Sequence, residues 1–471
     1  MHPALILLVG MATILGAILL LRLNAFLALI IAAIVVSVLA PGEPAVKIAR
    51  VAEGFGRTAG TIGVVIALAA IAGKAMMDSG AADRIVKAFL AWLGVERGAT
   101  ALCATSCVLS IPVFFDTVFY LLVPLARSMY ARTNRNYLKY LMAIAAGAAA
   151  THTLVPPTPG PLAVAGALGV DLGTMVLVGL VVAVPAAGVG LLFAGWVDHR
   201  MLLESPPSPE EPAPSRRPER SEGAARGRGG QGVSTLPGLI PSLLPIVLPV
   251  LLISSNTVVV SMTSRAGAHA VWSALASYTA IIGNANLALL VSAAVAMWVY
   301  AQQRRASRAA VAEMVETSLM SAGVIILITS AGGAFGATLQ AAQIGPTIEG
   351  AFRAGGSGSG VALLLLGFAV ASLMKIAQGS STVAMITTAA MLAAMIPRSG
   401  ALPFHTVYVA TAIASGSLVG TWMNDSGFWI FSKMGGVTEL ETLKSWTPLL
   451  AVVGVTSMVT TIVLAFLVPL R

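Results

Sequence analysis

Charge is what this sequence has least of. Only 10% of its 471 residues are Asp, Glu, Lys or Arg, 57% are hydrophobic, and the mean hydropathy is +0.90. A soluble globule of this size could not clothe itself with so little polar surface, which excludes a water-soluble enzyme or binding domain. Cysteine is nearly absent too. The two present, Cys103 and Cys107, lie four apart in an apolar run with no histidine or carboxylate at ligand spacing. They read as small helix-packing residues rather than a disulfide or a metal site. Metal-hydrolase spacing such as HExxH and a paired-aspartate motif are also missing, so neither metal nor cofactor is expected. Aromatic residues make up 6% and do not interleave with the basic ones, so the net charge of +9 reflects the positive-inside rule for membrane loops and not a nucleic-acid partner.

What the sequence has in quantity is apolar runs of the ~17 to 25 residues that cross hydrocarbon. They recur at 3–21, 24–40, 60–77, 174–195, 238–258, 285–301, 312–334 and 447–469. The fold class that follows is an all-α polytopic membrane protein, with about 10–14 membrane segments once shorter and broken runs are included. The first run lacks the basic start and cleavage site of a secretory signal and reads as a retained span. One stretch, Glu204 to Gly232, is rich in Pro, Gly and charge with almost no apolar residue, the composition of a disordered linker. It divides the chain into a membrane repeat over 1–200, a cytoplasmic linker over 201–236 and a second membrane repeat over 237–471.

Basic residues orient these pieces. Arg216, Arg217, Arg220, Arg226 and Arg228 place the linker on the cytoplasmic side. Arg127, Arg132, Arg135 and Lys139 do the same for one short loop, and Arg304, Arg305 and Arg308 for another. All three are met if 60–77 crosses inward, 98–126 forms a re-entrant hairpin, and spans follow near 140–165 and 174–195. Lys47, Arg50 and Arg57 are then left outside, against the rule. The second half repeats the order of elements. A span at 312–334 ends in SAGGAFGATLQ and an amphipathic piece follows to about 357. KIAQGSSTVAMITTAA then stands where the first half has SIPVFFDTVFYLLVPLA, and GTWMNDSGFW where it has THTLVPPTPGP. An odd number of crossings in the first half sends its copy in from the opposite face, giving the inverted repeat of many secondary transporters.

The breaks carry the functional reading. Inside hydrocarbon every backbone N–H and C=O needs a partner, and Pro156, Pro157, Pro159 and Pro161 remove donors and disfavour helix before them. Such a segment must line a polar cavity or be buried in protein. Four interruptions in symmetric places, Ser110 to Asp116, Thr151 to Pro161, Gln378 to Thr382 and Asn424 to Gly427, are expected to meet near the midplane. Their hydroxyl, amide and backbone groups make Ser110, Thr151, His152, Thr158, Gly160, Gln378, Gly379, Ser380, Ser381, Thr382, Asn424 and Ser426 the expected contacts of a small anionic substrate, with half-helix N-termini adding positive potential.

A charge at the bilayer centre costs at least ~2.5–3.5 kcal/mol, so Asp116, His152 and Asp425 must be paired, protonated or used in proton coupling. Asp116, which follows a proline and two aromatic rings, ranks first as proton carrier. Asp425, flanked by Asn424 and Ser426, suits a fixed anion, and His152 a substrate contact or relay. Lys375 either attracts a carboxylate or snorkels to the headgroups. Asp78, Asp83, Arg84, Lys87, Glu96 and Arg97 bracket an amphipathic segment and read as a solvated interfacial face.

GFGRTAGTIGVVIALAAIAGKAMMDSGAA, SIPVFFDTVFYLLVPLA, THTLVPPTPGPLAVAGALGVDLG, AQGSSTVAMIT and NDSGFW together resemble the gluconate permease family of proton-coupled symporters, within the larger ion transporter superfamily. The resemblance covers nearly the whole chain, and PPTPGP and NDSGFW are its most specific pieces. It implies uptake of gluconate or a related small hydroxycarboxylate through the bacterial inner membrane. It also implies two repeats with paired re-entrant hairpins, protons as the coupling ion and a homodimer. The Ser-Asn-Thr signature of sodium-coupled superfamily members is absent from the hairpin tips, which favours protons. D-Serine, glycerate or a keto-acid would suit the same groups. Two other classes remain: an intramembrane enzyme built on Asp116, His152 and Asp425, which no motif supports, and an open channel, which discontinuous helices disfavour.

Overall fold

Each apolar run becomes a helix whose ends are set by a few residues. The computed structural model describes all residues except Met1, Arg22, 95–96, Asn134, Leu202, 204–235, 264–269, 344–358, 397–401, Asn424 and Arg471. The proposed linker, apart from Met201, Leu203 and Leu236, and the amphipathic piece from 344 onward therefore lie outside the described residues. The first half holds α1 (Pro3–Leu19), α2 (Ala25–Leu39), α3 (Pro44–Ser79), α4 (Ala81–Leu93), α5 (Gly98–Leu109), α6 (Phe115–Thr133), α7 (Tyr137–Leu154), α8 (Pro159–Leu168) and α9 (Leu172–Arg200). The second holds α10 (Leu239–Thr263), α11 (Ala270–Ile282), α12 (Ala285–Arg304), α13 (Arg308–Ala341), α14 (Ser359–Gln378), α15 (Ser381–Ala393), α16 (Val407–Gly416), α17 (Ser426–Gly435) and α18 (Glu439–Leu467). Seven helical segments among the described residues are long and apolar enough to cross a membrane.

Local chemistry explains the boundaries. Pro44 opens α3, where a missing N–H costs nothing, and Gly80 closes it with φ 78°, a left-handed turn that spares a Cβ clash. Asp171 caps α9 by accepting from the Thr174 amide at 2.9 Å, and Thr438 and Glu441 cap α18 reciprocally. Two helices are longer than their apolar runs. α3 begins at Pro44 because the charged turns containing Lys47, Arg50 and Glu53, which lower hydropathy, are still helical. α13 continues to Ala341 straight through SAGGAFG. Its glycines pack instead of breaking: a side chain on Gly333 would collide with Thr58 of α3, and one on Gly332 with Ile386 of α15.

Two packed groups result. α2, α3, α12 and α13 lie against one another, with α1 on α2, while α5, α7 and α9 pack with one another and α14, α16 and α18 do likewise. α9 then meets α18, and α8 meets α15. The halves share element order and lengths, with α3 at 36 residues against α13 at 34, and α9 and α18 both at 29. They also share close crossings. Gly147 lets α7 rest on the Cys103 carbonyl of α5, as Gly416 lets α16 rest on the Phe368 carbonyl of α14. Gly179 seats α9 against Leu154 of α7, as Gly454 seats α18 against Ser415 of α16.

Lys47 and Arg50, which offended the charge rule, have a local purpose. Lys47 Nζ donates to the Val38 carbonyl at 2.6 Å and Arg50 to the Pro41 carbonyl at 3.1 Å. Lys47 thus satisfies a last-turn carbonyl of α2, where the helix dipole is negative, and Arg50 a carbonyl of the turn that follows.

Candidate functional site

Three of the four interruptions are narrower than their sequences suggested, whereas the fourth is wider, filling the gap between Gly416 at the end of α16 and Ser426 at the start of α17. The second is confined to Val155–Thr158, since Thr151 and His152 stay in the last turn of α7 and Pro159 and Pro161 enter the first turn of α8, where proline is tolerated. The first spans Ser110–Phe114, leaving Asp116 in the opening turn of α6. The third is only Gly379 and Ser380, with Gly379 at φ 80°. In the fourth, Asp425 is the N-cap of α17, its Oδ1 accepting from the Gly427 amide at 3.1 Å.

Residues within or flanking all four line one cavity of about 170 Å³. Phe114, Phe115 and Asp116 come from the start of α6, His152 and Thr153 from the end of α7, Ser380, Ser381 and Thr382 from the start of α15, and Asp425, Ser426 and Gly427 from the start of α17. Opening turns of three helices therefore face one space, and unsatisfied amides at such ends favour an anion. Ala149, Leu418, Leu450 and Trp446 complete the wall. Trp446 packs between Phe115 and Phe431, with ring centroids 5.2 Å and 5.3 Å away, and Phe114 lies 5.8 Å from the His152 ring. Two ring nitrogens, Nδ1 of His152 and Nε1 of Trp446, are buried without a hydrogen-bond partner among the described residues.

Lys375 does not snorkel. It is 1% exposed, donates to the Gly379 carbonyl, and places Nζ 3.1 Å from Oδ2 of Asp425. This ion pair joins the end of α14 to the start of α17.

Five of the residues singled out for substrate contact fall outside the cavity wall. The Thr158 hydroxyl turns back to the Val155 carbonyl at 2.6 Å, closing the turn it sits in. Gly160 serves packing, since a side chain there would strike Met385 of α15. Gly379 supplies the left-handed turn and the carbonyl that Lys375 binds. Ser110 and Thr151 are buried, and neither lines the cavity. Asn424 lies outside the described residues, as does the side chain of Gln378. Sequence reasoning missed Phe114, Phe115, Ala149, Thr153, Leu418, Gly427, Trp446 and Leu450. Phe114, Phe115, Thr153 and Gly427 fall inside the broken stretches but carry no polar side chain or none that stands out there, whereas Ala149, Leu418, Trp446 and Leu450 sit in ordinary apolar stretches, where nothing local marks a wall residue.

Broken helices that bring hydroxyls, carboxylates and helix N-termini to one small cavity are the arrangement of secondary transporters. The GntP family permease pattern matches residues 2–467. A gluconate permease of Pseudomonas aeruginosa is 31% identical, the alignment covering 97% of both chains. An inner membrane permease of Escherichia coli (strain K12), YgbN, is 30% identical over 93% of both. In fold, the chain is similar to the crystal structure of the Alcanivorax borkumensis YdaH transporter, described as having an unusual topology, with a TM-score of 0.63, 14% identity and full coverage of both chains. The chain is a multi-pass membrane permease of the GntP family, and not an enzyme.

Proposed function

We propose that this permease is a proton-coupled symporter that takes up gluconate, or a related small hydroxycarboxylate, across the bacterial inner membrane. The observation that carries the reading is the cavity itself, where three helix N-termini suited to an anion meet two carboxylates, Asp116 and Asp425, that repel one unless a proton comes with it. Asp116 is the proton carrier, because no ion pair holds it among the described residues whereas Asp425 is engaged by Lys375. The substrate is bound by His152, Ser380, Ser381, Thr382 and Ser426, with Asn424 from the same broken segment. The names of the gluconate permease and of the inner membrane relative support the substrate class and the location. Glycerate, D-serine and other small carboxylates fit the same donors.

The membrane units are 1–200 and 237–471, joined by a linker over 201–236 and related by inversion. Hydrogen bonds between distant helix ends support the inversion. On one side Arg304 meets the Asp78 carbonyl at 2.6 Å, the Lys139 amide meets Asp198 at 3.0 Å, and Tyr137 meets the Gly435 carbonyl at 2.7 Å. On the other, Thr257 meets Asp171 at 2.8 Å and the His405 amide meets the Pro469 carbonyl at 2.8 Å. α7 starts and α9 ends on the first side, whereas their counterparts α16 and α18 start and end on the second. Two re-entrant hairpins, α5–α6 and α14–α15, then enter from opposite faces, and a homodimer contacting through the apolar α1–α2 face fits the arrangement. Uptake into proteoliposomes under an imposed pH gradient, competed by a panel of small carboxylates, tests the reading. Accumulation of gluconate that collapses with the gradient is the expected result, and gluconate flux that only equilibrates would overturn it.

A further inference from the structure

Lys375 is the single lysine or arginine among the described residues that is fully buried. Removing an ammonium and a carboxylate from water is costly, and a purely structural pair of this kind is often no better than apolar packing. This pair also differs from a sealed one. Lys375 is absent from the cavity wall, yet its partner Asp425 stands on that wall. The ammonium is therefore reached from the cavity by way of Asp425. Two anchors fix the arrangement: the Gly379 carbonyl holds Lys375, and the Gly427 amide holds Oδ1 of Asp425 at 3.1 Å, leaving Oδ2 to the ion pair.

An entering carboxylate meets Asp116 from α6, His152 from α7 and Asp425 from the start of α17, while α15, Leu418 in the turn after α16, and α18 present hydroxyl, aliphatic and aromatic groups. Among the described residues around the cavity, the one lysine or arginine in reach is Lys375. We propose that Lys375 is the counter-ion of the substrate's carboxylate, and that Asp425 occupies its place until substrate arrives. On binding, the carboxylate takes up the ammonium, Oδ2 of Asp425 is released while Oδ1 keeps the Gly427 amide, and one proton from solution settles on Asp116, which shares the wall with the newly unpaired Asp425. The charges balance. Substrate brings one negative charge, the proton one positive charge, and the only bond formed is the carboxyl O–H. Proton uptake thereby becomes a condition of filling the site. This inference rests on the proposed symport of a hydroxycarboxylate and adds the residue that recognises the acid group.

The test is calorimetric binding of gluconate and of its uncharged amide to purified protein, in buffers of different ionisation enthalpy so that proton uptake is counted. The parent binds gluconate with uptake of close to one proton. Asp425→Asn, which frees the cation, binds gluconate at least as tightly with much reduced uptake. Lys375→Gln combined with Asp425→Asn, which removes both charges and so avoids an unpaired ion, weakens gluconate by at least about thirtyfold and leaves the amide within about threefold. A double variant that binds gluconate as the parent does overturns the inference. So does an Asp425→Asn protein that loses acid and amide alike, the behaviour of a merely structural pair. A parent that binds neither gluconate nor glycerate overturns the proposed function itself, and this inference with it.

Discussion

The guanidinium of Arg127 donates to the carbonyl oxygen of Met434 at 2.8 Å, so α6 of the first half grips the end of α17 in the second. The Tyr137 hydroxyl binds the adjacent Gly435 carbonyl. These are last-turn carbonyls, which no amide within the helix can satisfy. α17 has only ten residues, and its other end is capped by Asp425 on the cavity wall. What holds Met434 therefore also sets the position of Asp425. Arg127→Ala should lower the stability of the detergent-solubilised protein by about 1–2 kcal/mol, and Arg127→Lys should recover part of it. Thermal melts followed by fluorescence check this, and an unchanged midpoint for Arg127→Ala would refute it.

The segment between the halves should be dispensable. Residues 205–228 are rich in Pro, Arg and Glu with almost no apolar side chain, a composition unable to bury apolar surface, and none belongs to the broken segments. Deletion of 205–228 should leave gluconate affinity within about twofold. Loss of binding in a deletion protein that still inserts and purifies as a single species would contradict it.

How far the sequence discloses this molecule depends on whether a feature is local. The long helices show plainly because burial in lipid demands apolar composition over a whole span, and the breaks show because proline, glycine and polar residues at that depth have few other uses. Where a signal is mixed, the reading slips. Lys47, Arg50 and Glu53 hid the first turns of α3, and Gly332 and Gly333 mimicked a helix end in α13 while serving its contact with α3 and α15. Which polar residues of a broken segment face inward is a matter of rotation about the chain. Thr158 and Thr382 look alike in sequence, but one closes a turn and the other lines the cavity. Partnerships across the fold leave no local mark at all. Nothing near Lys375 in sequence announces Asp425, and nothing around Trp446 announces that it shares a wall with His152.

Motion of one packed group against the other is the next expectation. α15 carries cavity residues and rests on α13, and α8, which packs on α15, rests on α3. A Cβ built on Gly166 of α8 would stand 3.2 Å from Cγ2 of Ile62 of α3, which puts the pair in direct contact and makes it the choice for an engineered disulfide. The pair Ile62→Cys and Gly166→Cys, once oxidised, should stop uptake by at least about tenfold while gluconate binding in detergent persists, and reduction should restore transport. Full transport with the disulfide formed would show that this contact does not move.

The strongest test of coupling concerns Asp116. It sits in the first turn of α6 behind Phe114 and Phe115, it faces the same cavity as Asp425, and no ion pair neutralises it among the described residues. A carboxylate so placed repels an anionic substrate when charged and tolerates it when protonated. Loading and unloading of the proton then follow loading and unloading of the substrate. Asp116→Asn imitates the protonated form permanently. The variant should bind gluconate about as well as the parent and should exchange external for internal gluconate, because exchange needs the filled site to reorient but needs no net proton movement. It should fail to accumulate gluconate when a pH gradient is imposed, reaching only the internal concentration that the substrate gradient and the membrane potential allow. Both assays run on the same proteoliposomes, so insertion and folding are controlled within the experiment. If Asp116→Asn accumulates gluconate in response to the gradient as the parent does, the proton travels on another group, and Asp425 and His152 are the two left on the wall to carry it.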